Sequence, residues 1–180
     1  MLPLSGPLPA TAAKIYPSAA AFAAVAADWR AAGRRVVFTN GCFDLLHLGH
    51  VDYLERARAL GDALVVGLNT DASVRAQQKG PERPLQDEVG RARVLAALAF
   101  VDAVVLFDEP TPRELIEAVR PAVLVKGDDY APAAIVGYDT VMADGGQVVT
   151  VPLVAGYGTT RIVEKIKAGL GADGNRDGGA

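Results

Sequence analysis

Two hydrophobic patterns alternate along this chain. Stretches with apolar residues three and four apart predict helices, and short unbroken apolar runs between them predict buried strands. An Ala-rich stretch with Phe22, Val25 and Trp29 on one face predicts a helix over 18–32, closed by Gly33. Val36, Val37, Phe38 and Thr39 follow as a β-branched and aromatic run, which reads as a strand. Helical spacing resumes over 48–60 and stops at Gly61, before an apolar strand over 63–68. Asp71 is placed to cap a short helix to Gln77, and a longer helix is expected over 86–100, ahead of a strand at Ala103–Phe107. Thr111, Pro112 and Glu114 combine a capping hydroxyl, a first-turn proline and a first-turn acid, predicting a helix to Val119. A strand over 122–125, two short helical pieces up to Ala143, a strand over 147–152 and a last helix over 159–168 complete the pattern.

Strands that are apolar throughout belong in a parallel sheet covered on both faces. The expected fold is therefore α/β, a doubly wound five-stranded parallel sheet. Ligands in such sheets bind beyond the carboxyl ends of the strands where the winding reverses, which directs attention to the residues after Thr39, Leu68, Val125 and Val151. Residues 1–17 lack a clear period and are expected to be a flexible lead-in. Residues 18–168 read as a single domain with an N-terminal docking helix, and the Gly- and Asp-rich 169–180 as a disordered tail.

Composition narrows the class. At 180 residues the chain suits one domain large enough to bury a core without staples. Cys42 is the only cysteine, so no internal disulfide can form and a reducing compartment is expected. With 18 Lys and Arg against 21 Asp and Glu, the formal charge of -3 argues against nucleic acid as a partner while leaving room for a local phosphate site. Apolar runs are broken by charges and turn formers, and no basic stretch precedes the first of them. Neither a membrane span nor a secretory signal is read, and a cytoplasmic location is expected.

The candidate chemistry is concentrated at 39–50, Thr-Asn-Gly-Cys-Phe-Asp-Leu-Leu-His-Leu-Gly-His. His47 and His50 are the two histidines of the chain, three apart at a predicted helix start, so they share one face of its first turn. Open backbone N–H groups and the helix dipole favour an anion there. Gly49 lets a phosphate approach the backbone, and two imidazoles can donate to its oxygens. The plain alternative is a capping His47 and a packed His50, which for an HxGH in an arbitrary place is the better reading. Position after the first strand of an α/β sheet reverses that preference. The loop is not GxGxxG and the chain has no GxxxxGK[ST], which disfavours NAD binding and Walker-type chemistry.

The segment 36–54, VVFTNGCFDLLHLGHVDYL, resembles the opening motif of the cytidylyltransferase-like nucleotidyltransferases, with their HxGH signature. Within that group the chain is similar to the adenylyltransferases that form ADP-heptose from D-glycero-β-D-manno-heptose 1-phosphate and ATP. The likeness runs over about 22–166. It takes in Trp29-Arg30, Asn69-Thr70-Asp71, Lys79-Gly80, Arg83-Pro84, Arg91, Val101-Asp102, Leu124 to Gly127 with Asp129-Tyr130, and Thr159-Thr160. Two positions depart from the family pattern: Asp128 stands where relatives often have Gly, and Gly158 where they have Ser.

The resemblance implies attack by a sugar-phosphate oxygen on the α-phosphorus of ATP, with pyrophosphate leaving and no covalent enzyme intermediate. His47, His50 and Lys126 then stand as catalytic donors to the growing phosphoryl charge. Asn40, Gly41, Cys42, Phe43, Gly49, Arg91, Gly127, Asp129, Thr159 and Thr160 are expected against the nucleotide. Lys79, in a loop able to close, and Asp44 are expected near substrate or phosphate. Arg161 could reach the pyrophosphate or stand in solvent. Mg²⁺ is expected to arrive on the triphosphate, with Asp44 as a candidate contact and no preformed protein site. Implied partners are ATP, a sugar 1-phosphate, a separate heptose kinase upstream and a second copy of the chain as homodimer. A cytidylyltransferase acting on glycerol 3-phosphate or another small phosphate ester shares the same phosphate machinery. A nonenzymatic nucleotide sensor shares the fold.

Overall fold

The computed structural model describes residues 10–78, 80 and 82–173. A 3-10 turn at Ala10–Lys14 leads into β1 (Ile15–Tyr16), after which α1 (Ala19–Ala31), β2 (Val36–Gly41), α2 (Leu48–Arg58) and β3 (Ala63–Asn69) alternate. The short α3 (Asp71–Ala76) and α4 (Glu88–Ala96) precede β4 (Ala103–Phe107). Then come α5 (Arg113–Val119), β5 (Val123–Gly127), a 3-10 turn at Pro132–Ala134, α6 (Tyr138–Ala143), β6 (Gln147–Val151) and α7 (Thr159–Asp173).

The strands form one sheet in the order β1-β4-β3-β2-β5-β6, with every pairing parallel. Successive side chains on a strand point to opposite faces, so each strand feeds two cores. Val37, Leu64, Val66, Val104 and Val125 pack against Tyr53, Leu54 and Ala57 of α2 and Leu95 of α4. Val36, Phe38, Val65, Val105 and Leu124 pack against Phe22 of α1 and Leu115 and Ile116 of α5 on the other face. Burial on both sides explains why the strands are apolar over most of their length, with polar residues such as Asn40, Asn69 and Lys126 gathered near their carboxyl ends. The chain winds outward from β2 to β3 and β4, then returns to lay β5 on the opposite side of β2. The reversal falls between β2 and β5, whose carboxyl ends are Asn40-Gly41 and Lys126-Gly127.

The sheet has six strands rather than the expected five, and the extra one lies in the segment read as a flexible lead-in. Ile15 and Tyr16 pair with Val104 and Val105, and Lys14 Nζ donates to the Val101 carbonyl at 2.7 Å. Two residues are too few to show a period. Residues 1–9 of that lead-in lie outside the described residues, as do 174–180 of the expected tail; α7 continues past 168 to Asp173. Two predicted caps also differ. Thr70, not Asp71, caps α3, its hydroxyl accepting from the Ser73 N–H. α5 opens at Pro112 with no side-chain cap, so the Thr111 hydroxyl does not play that part. Among the described residues no helix is long and apolar enough to cross a membrane.

Candidate active site

A cleft of about 350 Å³ lies at the winding reversal. Its floor is the end of β2, Asn40 to Phe43, and one wall is the start of α2, with His47, Gly49, His50 and Tyr53. Lys126, Gly127, Asp129 and Tyr130 at the end of β5 form the opposite wall, and Leu153, Val154, Tyr157, Gly158 and Thr159 close the mouth. Parallel strands and their short loops bring these four segments together because every β2, β5 and β6 carboxyl end faces the same way.

The two imidazoles are stacked, with ring centroids 3.8 Å apart and planes within 18°. The Phe43 ring meets His50 edge-on at 5.1 Å, and Tyr157 lies beyond His47 at 6.5 Å. Burial lowers the pKa of both rings. At His50 the adjacent His47 adds to that effect, a hydrogen bond to the Leu45 backbone opposes it, and the result is about 4. Near neutral pH both rings are therefore uncharged, each with one N–H to donate. Their Nδ1 atoms, and Oδ1 of Asn40, are buried with no hydrogen-bond partner among the described residues. α2 begins at His47 without a side-chain cap, so its first N–H groups are left for another acceptor.

Close approach accounts for the glycines. A Cβ on Gly49 would stand 3.1 Å from His47 Nδ1 and 3.3 Å from the Tyr157 Cβ, while one on Gly127 would collide with Asp129 Oδ1 at 2.6 Å. Phe43 holds a left-handed backbone at φ 43, uncommon for an aromatic residue, which turns the chain sharply out of β2. Lys126 Nζ donates to the Asn40 carbonyl at 3.2 Å and lies 5.9 Å from the Tyr130 ring centroid. This cation is thereby held at the junction of β2 and β5. The Thr159 hydroxyl, first in α7, donates to the Leu45 carbonyl at 3.5 Å.

The structure brings together His47, His50, Lys126, Asn40, Gly41, Cys42, Phe43, Gly49, Gly127, Asp129 and Thr159. Thr160 lines a neighbouring cavity with Asp44, Arg83 and His50. Lys79 lies outside the described residues, and Arg161 is exposed and away from the cleft lining. Two of the expected contact residues are engaged within the protein. Arg91, 2% exposed, points inward: it donates to the carbonyls of Gln86 and Cys42 and to the Asp71 carboxylate, at 3.1, 2.7 and 2.7 Å. It holds the loop backbone and does not face the cleft. Asp44 is equally engaged, accepting from Arg83 at 2.8 Å and from the N–H groups of Leu85 and Gln86. Burial raises its pKa, but these donors outweigh it and keep the carboxyl below its usual range. These contacts tie the motif to the 83–86 segment.

Cleft residues that were not anticipated include Tyr53, Leu153, Val154 and Tyr157. Tyr53 could have been found, since it follows His50 by three and shares its helical face; its hydroxyl bonds with Thr39 Oγ1 at 2.8 Å and burial pushes its pKa up. The other three sit on an irregular loop with no period.

A cytidylyltransferase-like family model matches residues 38–151, which spans β2 through β6 and both walls of this cleft. The chain belongs to that family. It is 58% identical over 169 residues to the bifunctional protein HldE of Azorhizobium caulinodans, a match covering 91% of this chain and 35% of the relative. The HldE of Magnetococcus marinus is 63% identical over 142 residues, covering 79% of this chain and 29% of the relative. The chain thus spans about a third of the length of these curated relatives. Among solved structures, a lipopolysaccharide core biosynthesis protein from Thermoplasma volcanium superposes with TM-score 0.57 at 31% identity, over 68% of this chain and 98% of that one. A pantoate-beta-alanine ligase from Francisella tularensis, at 14% identity and TM-score 0.55, shares the fold.

Proposed function

We propose that this domain transfers AMP from ATP to D-glycero-β-D-manno-heptose 1-phosphate, giving ADP-heptose and pyrophosphate for a lipopolysaccharide core or related surface glycan. The observation that carries this reading is the convergence of a stacked, uncharged histidine pair, Lys126 and Thr159 on one cleft, in a chain 58% identical to a bifunctional HldE. The structural relative from Thermoplasma volcanium, described as a lipopolysaccharide core biosynthesis protein, points to the same pathway.

In this reading the triphosphate lies across the start of α2, where Gly49 admits it and the helix N–H groups and the two imidazoles meet its oxygens. An oxygen of the sugar phosphate attacks the α-phosphorus; the new P–O bond forms as the bond to the β-phosphate oxygen breaks, and pyrophosphate leaves with that electron pair. The attacking phosphate is already ionised near neutral pH, so no general base is required. His47 and His50 serve as fixed donors to charge that grows on the equatorial oxygens, and Lys126 supplies a cation at the same point. Asp129 is the one carboxylate among the described lining residues of the cleft. That set fits Mg²⁺ held chiefly by phosphates and water, with Asp129 as its protein contact. When bound, the metal offsets triphosphate charge.

Pyrophosphate release, measured with ATP or CTP against heptose 1-phosphate or glycerol 3-phosphate, tests this. Turnover only with ATP and the heptose ester is expected, with ADP-heptose as product. Turnover with CTP and glycerol 3-phosphate would replace it with the cytidylyltransferase reading, and nucleotide binding without any release would leave a sensor. A heptose kinase activity supplying the 1-phosphate, a homodimer and a cytoplasmic location belong to the same proposal.

A further inference from the structure

At the other end of the sheet lies a cavity of about 490 Å³, larger than the cleft. Three segments form it: the end of α1 with its turn into β2, the link from α5 to β5 and the link from α6 to β6. The carboxyl ends of those same three strands build the cleft, so the two spaces sit at opposite ends of them. Five residue steps of about 3.3 Å along β2 put those ends roughly 17 Å apart.

Of the described residues lining this cavity, four are arginines (Arg30, Arg34, Arg35 and Arg120) and one, Asp144, is acidic. That local excess of positive charge stands in a chain whose formal charge is -3. Like charges gathered in a concave space repel one another and focus their field on an incoming anion. Arg120 grips Asp144 with two hydrogen bonds, at 2.9 and 2.8 Å. It does so from a left-handed backbone at φ 48, closing α5 where glycine is the usual residue. The other three are anchored by neutral acceptors. Arg30 donates to the Val119 carbonyl at 2.7 Å, Arg34 to the Asp62 carbonyl at 3.0 Å, and Arg35 to the Leu60 carbonyl at 2.9 Å and Gln147 Oε1 at 3.0 Å. The Asp62 carboxylate accepts from the Arg35 backbone N–H at 2.7 Å. Among the described residues, none of these three guanidiniums forms an ion pair. Each guanidinium has five N–H groups and these bonds use one or two, so fixed donors and unmatched charge remain together. Gly33 and Gly145, at φ 72 and 75, turn the chain at the rim, and a Cβ on either would meet nothing within 4 Å, so the space stays open.

We propose that this cavity is a second anion site, taking a small molecule that carries a diphosphate group, with Arg30, Arg34 and Arg35 as its donors. Guanidiniums suit this ligand because paired N–H groups meet phosphate oxygens two at a time. A diphosphate brings charge of similar size and opposite sign in one compact group, and the cavity has the volume of a small-molecule site. An acidic peptide calls for a charged stripe along a surface, whereas these donors converge on one hollow. Free pyrophosphate and a nucleoside diphosphate share the required chemistry. The assignment does not depend on the reaction proposed for the cleft.

Trp29 is the one tryptophan of the chain, and the Arg34 guanidinium lies over its ring at 4.5 Å, so its fluorescence reports on this end of the molecule. Inorganic pyrophosphate, titrated into the full chain at low ionic strength, should change that emission saturably. Arg35→Gln, at an exposed residue, should weaken the binding about tenfold or more, the scale of one hydrogen bond to a charged group. Asp144→Asn removes the competing carboxylate from Arg120 and should tighten it about threefold, a gain that misfolding cannot produce. A His47→Gln/His50→Gln variant should respond as the wild type does, which separates this site from the cleft whatever the cleft catalyses. The same titration with ADP distinguishes the sources: tighter binding of ADP assigns the site to a nucleotide, tighter binding of pyrophosphate to the free ion, and either upholds it. The absence of a saturable change overturns the proposal, as do equal affinity for sulfate, an affinity indifferent to Arg35→Gln and Asp144→Asn, or loss of the response in the histidine variant.

Discussion

At His50 burial and the neighbouring imidazole act in one direction, taking the pKa from 6.5 to about 4. The unfolded chain takes up a proton between those values while the folded chain resists it, so folding stability falls as pH drops from 6.5 to about 4 and levels off below. A melting series over that window should show a steeper decline for the wild type than for a His47→Gln/His50→Gln double variant. At pH 7, His50→Ala should reduce kcat by about 10²–10³, the usual loss for one preorganised donor, with little change in melting temperature. Arg91 behaves differently because its guanidinium joins α4 to the β2 loop and Asp71 from inside the fold. Arg91→Ala leaves a carboxylate only 19% exposed without its partner. It should therefore cost about 3 kcal/mol, near 10 °C in melting temperature for a chain of this size, readable by calorimetry. The histidines were legible in the sequence because spacing and position after a strand both constrain them. Arg91 and Asp44 were not: residue type says that a charge needs a partner, and only packing says whether that partner is a ligand or a loop.

Among the elements, α2 concentrates the chemistry in its first turn and the packing in its later ones, where Tyr53, Leu54 and Ala57 reach the sheet. Gly49 sits at the change from one task to the other. Gly49→Ala suits a helix by intrinsic preference, yet its methyl would press on His47 and Tyr157. The expected outcome is a melting temperature within a few degrees of wild type and kcat at least about tenfold lower, since a displaced donor loses most of its effect. Equal kcat in the two proteins would show that the His47 ring needs no such clearance. Helices and strands of five residues or more were read to within a few residues at most boundaries, because periodicity accumulates over their length. Caps were read less well. Thr70 displaced Asp71, and Thr111 caps nothing, since a cap depends on backbone angles that several nearby Ser, Thr or Asp residues could equally satisfy.

For the molecule as a whole, the short β1 is an edge device. It covers β4, and Lys14 fixes it there. Deleting residues 1–17 should uncover the β4 edge, lowering the melting temperature and promoting self-association visible by light scattering; an unchanged monodisperse protein would show that β1 protects nothing. The order of apolar and polar residues was sufficient, on its own, for the alternation of helices and strands, the parallel two-faced sheet, the stop at Gly33 and the histidine turn, because each depends on residues adjacent or nearly adjacent in the chain. Tertiary structure alone decided that β5 lies against β2, that Lys126 reaches Asn40 across 86 positions and that Arg91 turns inward. Those outcomes are set by which buried surfaces fit together and which polar groups then lack partners, a balance spread over distant residues that no local pattern encodes.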